Sequence, residues 1–85
     1  MKKTIAILGS TGSIGKTLIN ILKKDKNNFN VILLTSNENI KEIIKQTNFF
    51  NVKNLIISNK KKFLIIKKIL KKKKINIFNN FDSID

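Results

Sequence analysis

Cysteine, proline, histidine, tryptophan, tyrosine and arginine are all missing from this chain of 85 residues. Without cysteine no disulfide can reinforce the fold, which fits a reducing compartment. Without histidine, acid–base chemistry loses its commonest agent, and no nucleophile stands paired with a base. Carboxylates are scarce too. Asp25, Glu38, Glu42, Asp82 and Asp85 are the five acidic residues, and their scattered positions lack metal-ligand spacing. Long apolar runs are absent: nothing approaches the roughly 18 residues of a membrane span. Ile5–Leu8 is too short for a secretory core and is cut off by Gly9. A soluble, cytoplasmic protein is expected, with no membrane partner.

What is abundant is lysine. All 18 basic residues are lysines, and the net charge is +13. Such a charge alone would suggest a polyanion as partner. Arginine, however, is the usual choice for guanine edges and bidentate phosphate contacts. Lysine, isoleucine and asparagine also share A/T-rich codons, so coding bias accounts for the composition. Nucleic acid is not expected as a partner. A chain of this length makes one small unit and buries only about 60–65% of its unfolded surface, so its stability is expected to be marginal.

The hydrophobic pattern alternates between strand-like and helix-like stretches. Thr4–Leu8, Phe29–Thr35, Asn54–Ser58 and Ile75–Phe78 are short runs rich in Ile, Leu and Val, as in buried strands. Between them lie amphipathic stretches. Ile14, Leu18, Ile19, Ile21 and Leu22 share one helical face over 14–24. Ile40, Ile43, Ile44 and Thr47 make a second stripe, and Phe63, Ile65, Ile66, Ile69 and Leu70 a third. Asn59 can cap the third helix, and the tail 79–85 shows no pattern. Non-alternating strands between amphipathic helices predict an α/β fold. The expected form is a partial, Rossmann-like, doubly wound parallel sheet of about four strands in the order 3-2-1-4, with helices on both faces.

The chemistry concentrates in Gly9-Ser10-Thr11-Gly12-Ser13-Ile14-Gly15, which contains all three glycines and falls between the first strand and the first helix. Glycine tolerates the dihedrals of a tight turn. A glycine at the closest point lets a pyrophosphate approach the backbone, and one a turn later lets the helix pack against the strand. The helix N-terminus supplies free N–H groups and a partial positive charge. Thr11 and Ser13 add hydroxyl donors. The spacing is G-x-x-G-x-x-G, and its position makes it informative. Gly15-Lys16-Thr17 imitates the end of a P-loop, but five residues before Gly15 stands Ser10, and the third strand ends in Ser58 without an acid for magnesium.

Residues 5–15, together with weaker matches at 28–31, 36–40 and 54–58, resemble the N-terminus of the 1-deoxy-D-xylulose 5-phosphate reductoisomerase family, which acts in the non-mevalonate route to isoprenoids. The resemblance implies an NADPH-binding region over 1–85. Thr11, Gly12, Ser13 and Ile14 would bind the coenzyme phosphates, with Asn37 and Asn39 beside the adenosine ribose. Asn37 stands where the family has glycine, and asparagine tolerates the left-handed region. Glu38 stands where a basic residue often meets the 2′-phosphate, while Thr35-Ser36 carries no acid to favour NAD. Family members are several times longer. Their catalytic lysine motif, substrate-phosphate pocket and divalent-metal site, for Mg²⁺ or Mn²⁺, would lie beyond residue 85, so no catalytic or metal-binding residue is expected here.

The chain is then expected to be a fragment, a truncated product or one part of a split enzyme, inactive alone. The sugar-phosphate substrate would be a partner only with the missing domains, supplied by a second chain or within a homodimer. Ending at a fourth strand beside the first would leave an open apolar edge. Two other readings compete: a stand-alone nucleotide-binding module, and a basic surface-binding protein built on the amphipathic helix within 60–74 and its lysines Lys71–Lys74.

Overall fold

The computed structural model describes residues 2–80. Four strands alternate with three helices: β1 (Lys3–Ile7), α1 (Ser13–Lys23), β2 (Phe29–Ser36), α2 (Ile40–Phe50), β3 (Asn54–Ile57), α3 (Lys60–Ile69) and β4 (Asn76–Phe78). A single 3-10 turn, Lys26–Asn28, leads into β2. All strand pairings are parallel. The result is a four-stranded parallel sheet flanked by helices, a partial Rossmann-like fold.

The helices begin and end where local chemistry allows. Asn39 caps α2 by accepting the Glu42 N–H, and Asn59 caps α3 by accepting the Lys62 N–H. At the far end of α2, Asn51 adopts a left-handed conformation (φ 56°, ψ 46°) and closes the helix with its N–H on Thr47 O. Ile19 and Leu22 of α1, Ile43 and Phe50 of α2, and Ile66 of α3 join Ile7, Val31, Leu34, Leu55 and Ile57 of the strands in one core cluster. Ile56, between Leu55 and Ile57, is buried as well, so both sides of β3 are covered.

The strand order is β1-β2-β3-β4, which corrects the expected 3-2-1-4. The third connection sets β4 beside β3 instead of returning it past β2 to β1. Asparagines hold it there. Asn76 N–H donates to Lys53 O at 2.8 Å, and Asn76 Nδ2 to Asn54 Oδ1 at 3.1 Å. Asn79 Nδ2 donates to Ile57 O at 2.9 Å and to Ser58 O at 3.2 Å. Both β1 and β4 are therefore edges among the described residues, and β4 is not the neighbour of β1.

The apolar stripes are also only partly used. In α1, Ile19 and Leu22 are buried, whereas Ile14, Leu18 and Ile21 are exposed. In α3 Ile66 is buried, as is Leu70 at its C-cap, whereas Ile65 and Ile69 are exposed. A helical arc of five apolar residues is wider than one line of contact with a sheet, so its flanks remain in solvent.

Candidate functional site

The glycine segment connects the C-terminal end of β1 to α1 and lies against the C-terminal end of β2. That end of a parallel sheet is where α/β proteins place ligands. Thr35 anchors the turn. Gly9 N–H donates to Thr35 Oγ1 at 2.8 Å, and Ser10 N–H to Thr35 O at 2.9 Å. Thr11 Oγ1 and Ser36 Oγ share a hydrogen bond of 2.7 Å. From the other side, Gln46 Nε2 of α2 donates to Ser10 O at 2.9 Å. Ser10 is fully buried, and Gln46 is 1% exposed.

The three glycines are there for three different reasons. Gly9 has φ +66°, which a residue with a side chain rarely adopts. Gly15 is needed for packing: a Cβ there would lie 2.2 Å from Gly9 O and 2.7 Å from Ser10 Cα. Gly12 meets neither demand. Its φ is −78°, and an added Cβ would meet only Gly9 O, at an ordinary 3.6 Å. The folded chain itself has no use for a bare position at Gly12, so the open space above it is available to a ligand.

The donors near that space can be counted. Gly12 N–H is spent on Gly9 O at 3.1 Å, and Lys16 N–H on Gly12 O at 2.8 Å. Ser13, Ile14 and Gly15 open α1, where N–H groups have no carbonyl one turn back. Gly12, as the N-cap, brings no side chain, and the first turn holds no acid. The positive end of α1 therefore has neither a capping side chain nor an acid in its own first turn. Ile14 is 87% exposed and, with Leu8, Gly12 and Leu18, lines a cleft of about 530 Å³ between α1 and the free edge of β1. Thr17 donates its hydroxyl to Ser13 O at 3.0 Å, one turn back along α1.

Asn37 and Asn39 lie at the same end of the sheet, on the loop after β2. Both are exposed and both already have partners. Asn37 Oδ1 accepts the Ser58 hydroxyl at 2.8 Å, and Asn37 O accepts Asn59 N–H at 2.9 Å. Asn39 is the cap of α2. Asn37 does not use the left-handed region that asparagine tolerates; among the described residues, Asn51 is the non-glycine residue with positive φ. Glu38 between them is exposed to solvent.

Thr35 and Gln46 escaped the sequence reading, although Gln46 left a trace. Ile43, Gln46, Thr47 and Phe50 fall on one helical face, and all four are buried. A glutamine on a buried face needs a polar partner. Its Nε2 has two, Ser10 O and Glu42 Oε2, while its Oε1 has none. Reversing the amide would set its oxygen against two other acceptors, so the bonding fixes its orientation.

Among the described residues there is no group of three or more acidic, histidine or cysteine side chains able to hold a metal ion. Asp25 accepts from Asn28 Nδ2, and Glu42 from Gln46 Nε2. Asp82 and Asp85 lie outside the described residues. No helix among those described is long and apolar enough to cross a membrane.

The parallel sheet and the glycine turn under an open helix end define the class: a Rossmann-like unit of the dinucleotide-binding type. Comparison with known proteins names the family. Residues 5–83 match 1-deoxy-D-xylulose 5-phosphate reductoisomerase, and the chain belongs to that family. It is 54% identical over 83 residues to the reductoisomerase of Pelagibacter ubique, covering 98% of this chain and 21% of that one. The Buchnera aphidicola (Schizaphis graminum) enzyme is 44% identical over 73 residues, covering 86% of this chain and 18% of its own. The reductoisomerase of Zymomonas mobilis, solved in complex with NADPH, superposes with a TM-score of 0.88 at 25% identity, over 98% of this chain and 22% of that one. The chain thus spans about a fifth of the length of the relatives it matches.

Proposed function

We propose that this chain is the N-terminal, NADPH-binding part of a 1-deoxy-D-xylulose 5-phosphate reductoisomerase, the enzyme that makes 2-C-methyl-D-erythritol 4-phosphate. The observation that carries this reading is Gly12, bare without a packing or backbone reason, at the uncapped start of α1. The NADPH held by the Zymomonas mobilis relative supports it. Thr11, Gly12, Ser13 and Ile14 hold the coenzyme phosphates: Thr11, Ser13 and Ile14 through backbone N–H groups, Gly12 by giving room. Asn37 and Asn39 border the adenosine ribose from the loop after β2. NADPH supplies the hydride of the reaction. This chain's share is to bind and orient it.

The described residues do not fit the divalent metal of the complete enzyme, and no step is assigned to a metal here. The sugar phosphate becomes a partner only with the remaining four fifths of the family's length, in the same polypeptide, a second chain or a homodimer. Residues 1–85 then form part of one dinucleotide-binding domain, in the cytoplasm. The chain alone is expected to bind NADPH weakly and to show no turnover.

The test is titration of coenzyme fluorescence with the wild-type chain and Gly12→Val. The valine side chain would occupy the space left for the pyrophosphate, so binding should be lost. Stability should fall by about 1 kcal/mol at most, the cost of valine at an N-cap, because the position has room for a Cβ and an ordinary φ. Equal affinity of the two proteins would remove the loop from the reading.

A further inference from the structure

We infer that Gln46 is a positioning residue for the coenzyme loop: by holding Ser10 O it aims the Thr11 N–H outward as a phosphate donor. The inference rests on the NADPH reading above and deepens it. The geometry follows from the peptide bond. In a planar trans peptide the C=O of one residue and the N–H of the next point in opposite directions. Ser10 O is drawn toward the buried Gln46 Nε2, 2.9 Å away. The N–H of Thr11, in the same peptide plane, is therefore turned away from α2. It has no acceptor among the described residues, whereas Ser10 N–H is bonded to Thr35 O of β2 and Gly12 N–H to Gly9 O.

The alternative orientation would be ruinous for an anion. Rotating the Ser10–Thr11 peptide about its flanking bonds would bring Ser10 O to the outer face and turn the Thr11 N–H inward. An acceptor would then stand where a donor is wanted. Thr35 fixes Gly9 and Ser10 through their N–H groups, but it has no hold on this carbonyl. That hold belongs to Gln46 alone among the described side chains. The amide also leaves its own Oε1 buried without a partner, a cost that an apolar residue at this position would avoid.

The experiment compares wild type, Gln46→Met and Gln46→Glu at 85 residues, with folding followed by circular dichroism at each pH. Methionine fills similar volume without a donor. A protonated glutamate can still donate to Ser10 O, and an ionised one cannot. Burial and the adjacent Glu42 carboxylate both favour the protonated form. Two readouts are taken. Coenzyme titration should show an affinity loss of about tenfold for Gln46→Met, the scale of one lost donor to an anion. For Gln46→Glu the loss relative to wild type at the same pH should develop only as pH rises and be reversed on acidification. In the absence of coenzyme, the NMR cross-peak between Ser10 Hα and the Thr11 amide reports the peptide orientation. It should match wild type in Gln46→Glu at low pH and differ in Gln46→Met.

An unchanged cross-peak in folded Gln46→Met would overturn the inference whatever the coenzyme does. So would unchanged affinity in a variant whose peptide has turned. Failure of the wild-type chain to bind NADPH, with the cross-peak behaving as expected, would sink the coenzyme reading and leave the role of Gln46 in orienting the peptide standing.

Discussion

The starts of α1 and α2 lie at the same end of the sheet, one after β1 and the other after β2, yet they are finished differently. At α2, Asn39 closes the helix with its side chain, and Glu42 in the first turn offsets the helix dipole. α3 is closed likewise by Asn59. At α1 the capping position is Gly12, with no side chain and no acid in the first turn. A helix end that only supports the fold is satisfied from within. One left open, under a turn held by Thr35 and Gln46, suits the coenzyme phosphates proposed for it.

The comparison can be broken most severely at Gly15. A Cβ at this position would lie 2.2 Å from Gly9 O, and the obstructing atoms are backbone, which cannot step aside. Gly15→Ala should cost about 3 kcal/mol by overpacking. In so small a unit that should abolish the cooperative urea transition. Gly12→Ala should leave the transition nearly in place. If the two substitutions unfold the chain equally, the division of labour among the glycines is wrong.

Capping gives the next largest effect. Asn39→Ala and Asn59→Ala should each cost about 1 kcal/mol in urea unfolding, since each removes a side-chain acceptor from a helix start. At α1 there is no side-chain cap to lose. A smaller effect concerns charge. Glu38 precedes the closed end of α2 and is exposed, beside the proposed ribose site. Glu38→Arg should shift the ratio of NADPH to NADH affinity by about fivefold toward NADPH, the scale of one exposed charge pair. An unmoved ratio in coenzyme titrations would mean that Glu38 does not face the 2′-position.

The contrast also shows which parts of the fold were legible in the sequence. Strands and helices were, because apolar runs and 3.6-residue stripes are local. The glycine turn was, because a strand, three glycines and an amphipathic helix follow one another directly. Strand order was not. It depends on whether Asn76 and Asn79 find Lys53, Asn54, Ile57 and Ser58, and no local pattern announces those pairs. Asn37, in place of a family glycine, does not use the left-handed region that asparagine tolerates; Asn51 does, where the end of α2 requires it. Thr35 and Gln46 were missed because they act on the turn from 25 and 36 residues away. The width of each apolar stripe overstated its burial, as Ile14, Ile21, Ile65 and Ile69 show.

The smallest expected effect is the most discriminating. Gly12→Ser would give α1 the kind of cap that α2 and α3 already have. The backbone at Gly12 (φ −78°, ψ 175°) is extended, which suits a serine N-cap, and the added Cβ has room. Its hydroxyl could accept an N–H of the first turn, so stability should rise by a few tenths of a kcal/mol. The same bond would consume a donor proposed for the coenzyme phosphates and fill part of the bare space. NADPH affinity should therefore fall while the urea midpoint rises. Two measurements on one variant moving in opposite directions would be hard to obtain from general damage to the fold. A variant that gains stability and keeps its affinity would show that the open end of α1 is not where the phosphates bind.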